Sequence, residues 1–316
     1  MTYAQQGGKV ERFVPSARPT PFGRLITAMV TPFTADQRVD HDGVARLATH
    51  LVDEQGNDAL VVNGTTGESP TTTDEEKAEI LRTVVDAVGD RAKVVAGVGT
   101  PSTAHTLALA RRAEAAGADG LLVVTPYFSR PPQEGLVAHF TAVADATGLP
   151  IMAYDIPHRS GVALETETLV RIAAHGRVVA VKDAKGDIVA SSWVMRRTDL
   201  AYYAGDDALT LPLLAVGAVG VVGTSTHLCG SETKQMIQAY VAGDAATAAR
   251  LQHALLPLHT GIFRTQGPIL VKAALEALGL PAGPLRPPLL PATPQQYATL
   301  VADCAAAGVK LPEAAA

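Results

Sequence analysis

Eight short apolar runs recur along the first two-thirds of the chain, most followed by a longer segment of helical period, and this alternation limits the possible folds more than any other feature. The runs fall at residues 25–30, 59–62, 94–97, 120–124, 151–154, 178–182, 201–203 and 220–222. Between them lie helix-like stretches such as 40–53, 74–88 and 103–116, the second with Thr73 and Glu76 spaced as a capping box. Eight strand–helix units in series, with no long structureless gap, predict an α/β fold of the (β/α)8 TIM-barrel type rather than an open doubly wound sheet. Gly97-Val98-Gly99 lacks the third glycine and the helix placement of a dinucleotide fingerprint. After Cys229 the pattern turns helical throughout, at about 231–242, 245–265, 269–278 and 294–307, with the proline-rich stretch 281–291 as a stiff connector. The expected organisation is a flexible polar arm over 1–22, a barrel over 23–229 and an all-helical C-terminal extension over 230–316 that ends in a frayed Ala-rich tail.

Composition fits layered helices on parallel strands. Hydrophobic residues make up 47% but aromatics only 4%, so Ala, Val and Leu must fill the core. The net charge of −5 and pI near 6.0 argue against general affinity for nucleic acid or anionic membrane. No run approaches the roughly 18 apolar residues of a membrane span. The N-terminal stretch has no apolar core of a secretory signal. Cys229 and Cys304 match no metal or redox spacing and read as buried free thiols. A cytoplasmic enzyme or binding protein is expected.

In such barrels the active site lies at the C-terminal ends of the strands, so the polar residues just after each run carry the chemistry. Lys182 ends the run Val178-Val179-Ala180-Val181. Desolvation there would disfavour its charged form and free its lone pair to attack a carbonyl. The plainer reading is a lysine snorkelling out at a strand end, or one paired with Asp183. Strict alternation puts Met152 and Tyr154 on one face, and Val178, Ala180 and Lys182 likewise, so that Tyr154 and Lys182 converge at similar height. A tyrosine beside a desolvated lysine can shuttle protons through carbinolamine formation and dehydration. Arg159 could clamp a carboxylate bidentately, or form an ion pair with Asp155. Thr65 and Thr66, between Gly64 and Gly67, either donate to a carboxylate or simply turn the chain. Tyr127 and Phe128 sit in a proline-stiffened loop that either lines the site or packs at an interface. His158 reads as a loop residue, and Gly205-Asp206-Asp207 as a turn that caps the next helix. Gly223-Thr224-Ser225 leaves room at the barrel mouth without forming a phosphate cradle.

Taken together, GTTGES at 64–69, VTPYFSRPPQEG at 124–135, YDIPHRSG at 154–161, VKDAKGD at 181–187 and GDD at 205–207 resemble the pyruvate-dependent class I aldolases of the dihydrodipicolinate synthase and N-acetylneuraminate lyase superfamily. The resemblance runs from about residue 22 to 291 and lies nearest the synthase branch of actinobacterial type. It implies a lyase that condenses pyruvate with L-aspartate 4-semialdehyde to 4-hydroxy-tetrahydrodipicolinate, in lysine and diaminopimelate biosynthesis. Lys182 would be the Schiff-base lysine, Tyr154 its proton relay and Thr65 the relay hydroxyl beside it. Thr66 would hold the pyruvate carboxylate, while Gly205 and Val222 shape the pyruvate pocket through backbone. Arg159 would hold the aldehyde's carboxylate, with Tyr127 at the substrates. Sialic acid lyases lack this arginine. The resemblance implies no metal, no organic cofactor and a homo-oligomer built as a dimer of dimers.

Two departures stand out. The family loop usually reads Pro-Tyr-Tyr, and its second tyrosine reaches across a dimer interface to complete the relay; here that position is Phe128. Losing one relay member costs on the order of 10²–10⁴-fold where acid–base transfer matters. Water or Tyr127 could substitute. The other readings are a same-fold lyase acting on a different aldehyde, and a pyruvate-binding paralogue without turnover. The positions aligned with the family's lysine-effector pocket are Asp74, Lys77, Pro101 and His105. They do not reproduce its polar partners, so weak or absent inhibition by lysine is expected.

Overall fold

Each of the eight strands hydrogen-bonds in parallel to its neighbours in sequence, and the last closes on the first in the computed structural model, which describes residues 18–312. The strands are β1 (Leu25–Ala28), β2 (Ala59–Val62), β3 (Lys93–Gly97), β4 (Gly120–Val124), β5 (Ile151–Asp155), β6 (Val178–Asp183), β7 (Ala201–Ala204) and β8 (Gly220–Gly223). The expected TIM barrel is therefore the observed one. Strands β1, β2, β5 and β8 are buried at every position, because side chains face either the barrel axis or the helices outside. Along β5, Met152 and Tyr154 join the inner cluster while Ile151 and Ala153 join the outer one.

Two sequence expectations shift in register. The run at 25–30 stops as a strand at Ala28 because the Val30 amide donates to His227 Nε2 at 3.1 Å instead of to a strand neighbour. Strict alternation also fails at the start of β6. A bulge between the pairs Ile151–Val178 and Met152–Ala180 skips Val179, so Val178 packs outward while Ala180 and Lys182 face the axis.

Between β1 and β2, helix α1 (His41–Asp53) is N-capped by Asp40; between β2 and β3, α2 (Asp74–Val88) carries both halves of the Thr73–Glu76 capping box. Helices α3 (Thr103–Ala115), α4 (Gln133–Asp145), the short α5 (Pro157–Ser160), α6 (Thr166–Ala173), α7 (Ile188–Arg197) and α8 (Thr210–Ala215) follow. Past β8 the chain is helical: α9 (Thr226–Val241), α10 (Ala245–Gly261), α11 (Gly267–Ala277) and α12 (Pro294–Ala306). Helix α9 begins earlier than the periodicity suggests and bends at Cys229, where φ and ψ leave the helical region. The two cysteines are free and buried.

Residues 18–22, placed at sequence level in the flexible arm, are fastened to the barrel. Arg18 donates to the carbonyls of Met195, Thr198 and Leu200, and Phe22 is buried in the inner cluster. Gly120 makes room for that ring, since a β-carbon there would lie 2.5 Å from it. The rest of the expected arm and the last four residues of the tail lie outside the described residues.

Candidate active site

Lys182 and Tyr154 are paired in register on adjacent strands, and both point into the mouth of the barrel. The Lys182 ammonium sits 4.4 Å from the centre of the Tyr154 ring. Its residue is 5% exposed, and among the described residues it makes no ion pair. Asp183, the alternative partner, points the other way: it accepts from the Ser191 hydroxyl and the Lys185 amide. Burial pulls the Lys182 pKa from 10.5 down to about 8; Asp207 opposes that shift and Arg159 adds to it. The neutral amine is then far more accessible near neutral pH than in an exposed lysine. Burial pushes the Tyr154 phenol up to about 12, so it stays protonated and can both donate and accept.

Room for the lysine comes from Gly205, where a β-carbon would stand 3.0 Å from Lys182 Cγ. Asp206 caps the following turn by accepting from the Ala208 amide at 3.0 Å, as the sequence suggests. Asp207 does more. Its buried carboxylate accepts from the amides of Thr224 and Ser225 and from the Ser225 hydroxyl, joining the loops after β7 and β8. It is also the anion that acts on Lys182. Reading the pair as a plain turn missed this; the available signal was a second carboxylate directly behind a barrel strand.

The cavity over Lys182 has a volume of about 540 Å³ and is lined by Thr65, Thr66, Tyr154, Arg159 and Gly205. A smaller lobe of about 200 Å³ shares Thr65, Tyr154 and Arg159 and adds Tyr127. Among the described residues neither threonine hydroxyl has a hydrogen-bond partner, and both face the cavity. Arg159 stands on α5 at the rim and makes no ion pair among the described residues, Asp155 being engaged by Lys185 at 3.4 Å and by the Leu164 amide. The Val222 side chain belongs to the inner core beneath the cavity and lines neither lobe. The extension, which the sequence leaves as an appendage, supplies His259, Thr260, Phe263, Gln266 and Gly267 to the cavity wall. His259 is fully buried, and among the described residues neither ring nitrogen has a hydrogen-bond partner. No periodicity signals that contribution, because it depends on how α10 and α11 fold back over the barrel mouth.

Phe128 points away from all of this. It is 93% exposed and holds a left-handed backbone with φ of 73°. Of the effector-aligned positions, Asp74 pairs with His105 at 2.9 Å. The Lys77 ammonium is tied to the carbonyls of Ser69 at 2.9 Å and Thr72 at 2.5 Å. Among the described residues, no cluster of His, Cys, Asp and Glu is arranged to hold a metal, and no helix is long and apolar enough to cross a membrane.

The fold and the site define an eight-stranded parallel barrel with a buried lysine at its mouth that makes no ion pair among the described residues. The chain belongs to the dihydrodipicolinate synthetase family, which it matches over residues 21–307. It is 68% identical over 293 residues to the 4-hydroxy-tetrahydrodipicolinate synthase of Acidothermus cellulolyticus, covering 93% of this chain and 95% of that one. It is 60% identical to 4-hydroxy-tetrahydrodipicolinate synthase 2 of Streptomyces coelicolor, covering 94% and 99%. The dihydrodipicolinate synthase of Cyanidioschyzon merolae, solved with lysine bound, superposes with a TM-score of 0.89 at 41% identity, covering 92% of this chain and 99% of that structure.

Proposed function

We propose that this chain is a lyase that condenses pyruvate with L-aspartate 4-semialdehyde to 4-hydroxy-tetrahydrodipicolinate. The observation that carries the proposal is the buried Lys182 amine, without a direct ion-pair partner among the described residues and lying over the Tyr154 ring. Family membership gives that amine its substrate class.

The neutral amine attacks the keto carbon of pyruvate, and Tyr154 supplies the proton that lets the carbinolamine lose water. Thr66 donates to the pyruvate carboxylate, and Gly205 leaves space beside the imine. The Tyr154 oxygen, deprotonated in the dehydration step, takes a methyl proton to give the enamine, the protonated imine nitrogen accepting the electron pair. The enamine carbon then attacks the aldehyde of the second substrate, whose carboxylate meets Arg159 at the rim. Tyr154 and Thr65 return a proton to the new alkoxide. Finally the substrate amine displaces Lys182 by transimination, closing the ring and restoring the free lysine. Each turnover releases one water, and the sequence of steps calls on no metal or organic cofactor.

Phe128 supplies no hydroxyl to this proton traffic, and its exposure favours a role at a contact between chains. We place it on a neighbouring copy in a dimer of dimers, with water or Tyr127 in place of the family hydroxyl. Phe128 also supports a second reading, in which the same imine chemistry serves a different aldehyde. Location in the cytoplasm belongs to the same proposal.

Borohydride reduction with pyruvate, followed by mass spectrometry, tests the central step. One adduct per chain on the Lys182 peptide is expected; an adduct that persists in Lys182→Ala would refute the assignment. A panel of aldehydes with the native protein then separates the two substrate readings, the semialdehyde being expected to give the largest kcat/KM.

A further inference from the structure

The loop that presents Thr65 and Thr66 ends in a residue that the catalytic proposal leaves unused. Glu68 is 2% exposed and holds a left-handed backbone with φ of 57°. Glycine or asparagine adopts that conformation more readily, and other residues keep it only where their surroundings over-determine it. Its amide donates to the Thr65 carbonyl at 3.1 Å, so the backbone of Glu68 closes the turn that carries the threonines.

The Glu68 side chain fastens that turn to the C-terminal extension. One carboxylate oxygen lies 2.7 Å from the Lys272 ammonium on α11, and the other accepts from the Arg286 amide at 2.9 Å. Lys272 also donates to the Pro284 carbonyl at 2.9 Å. The Arg286 guanidinium makes two bonds to Glu76 in the first turn of α2, at 2.6 and 2.8 Å, and a third to the Thr71 carbonyl at 2.7 Å. Phe33, in the loop after β1, contacts both cations: Lys272 Nζ lies 4.2 Å from its ring centre and Arg286 Cζ 4.3 Å. A buried ion pair is weak evidence for stability alone, since a packed apolar pair of similar volume often does as well. It does fix geometry.

We infer that Glu68 and Lys272 are positioning residues for the reaction: through them the C-terminal extension holds the Thr65–Thr66 turn at the height of Tyr154. The inference rests on the role proposed above for Thr65. Misplacement of a reacting group by about 1 Å can cost on the order of 10²-fold in rate.

The test compares four full-length proteins: native, Thr65→Val, the paired variant Glu68→Gln/Lys272→Met, and all three changes together. The paired variant removes both charges and leaves no buried ion alone. It should still form the borohydride-trapped adduct on Lys182, which stands on β6. Its kcat should fall about 10–100-fold with little change in the aldehyde KM. In the Thr65→Val background the same two changes should alter kcat by less than about twofold, because they act through that hydroxyl. Native kcat in the paired variant, or an equal loss with and without Thr65, overturns the inference. Native kcat in Thr65→Val locates the failure in the assignment of Thr65, and overturns the clamp as a route through it. Should the paired variant not fold, Glu68→Asp alone carries the comparison, since it keeps both charges and only shortens the arm that holds the turn. Asp303→Asn, which removes an ion pair to Arg264 elsewhere in the extension, should turn over as native.

Discussion

Two buried lysines in this molecule have much in common but differ in one respect. Lys182 and Lys272 are 5% and 3% exposed, and each ammonium rests on an aromatic ring, at 4.4 Å from Tyr154 and 4.2 Å from Phe33. Burial lowers the pKa of both. Lys272 has a carboxylate at 2.7 Å as a direct ion-pair partner, whereas the anion acting on Lys182 is Asp207, whose oxygens are already occupied by the amides of Thr224 and Ser225. Burial and a π-face are thus shared by a structural lysine and a candidate nucleophile. The missing counter-ion separates them, because a lone pair is available only where the proton is not held.

The comparison breaks if the two amines react alike. With pyruvate and borohydride, Lys182→Ala should lose the adduct and turnover altogether, while Lys272→Met, if folded, should keep the adduct. Removing the neighbouring phenol is the next largest step. Tyr154→Phe keeps the ring over the amine but takes away the proton donor, so kcat should fall on the order of 10²–10⁴-fold while the pyruvate adduct still forms slowly. Equal rates of adduct formation and turnover in the two proteins would remove the relay. Arg159→Ala should raise the KM for the semialdehyde about 10–100-fold, with pyruvate trapping unchanged, since the guanidinium stands at the rim and not at the imine. An unchanged aldehyde KM would place the second carboxylate elsewhere.

How far the sequence foretold this depends on what each residue answers to. Strand order, the face shared by Tyr154 and Lys182 and the capping box of α2 were legible, because alternation and spacing are local properties of the chain. The bulge at Val179 was not, since it arises from register with β5. Nor was the second function of Asp207: a carboxylate after a strand looks the same whether it caps its own helix or binds the next loop. The contribution of α10 and α11 to the cavity depends on how the extension folds back, and the clamp on Glu68 joins residues more than 200 positions apart. Motifs named Thr65 and Arg159, but only the fold shows that Asp155 is occupied by Lys185 and leaves Arg159 free.

The smallest effect sharpens the contrast most, because it is read from stability alone. In the folded protein Lys182 loses its proton near pH 8, and in the unfolded chain near the ordinary 10.5. Between those values the unfolded chain binds more protons, so stability rises with pH. Above 10.5 the amine is neutral in both states and burial carries no charge penalty. As pH falls from 10.5 to 8 that advantage is lost, to a total on the order of 3 kcal/mol, and below 8 it changes no further. Lys182→Met has no such term. It should be more stable than native protein at pH 7, and the gap should narrow as pH rises toward 10.5, as is common where a site gives up stability for reactivity. Lys272→Met should behave in the opposite sense, since it strands the Glu68 carboxylate and destabilises at pH 7. Denaturant unfolding of the three proteins at pH 7 and pH 10 measures both. A pH-independent gap for Lys182→Met would mean that the amine is not desolvated, and the distinction between the two lysines would fall with it.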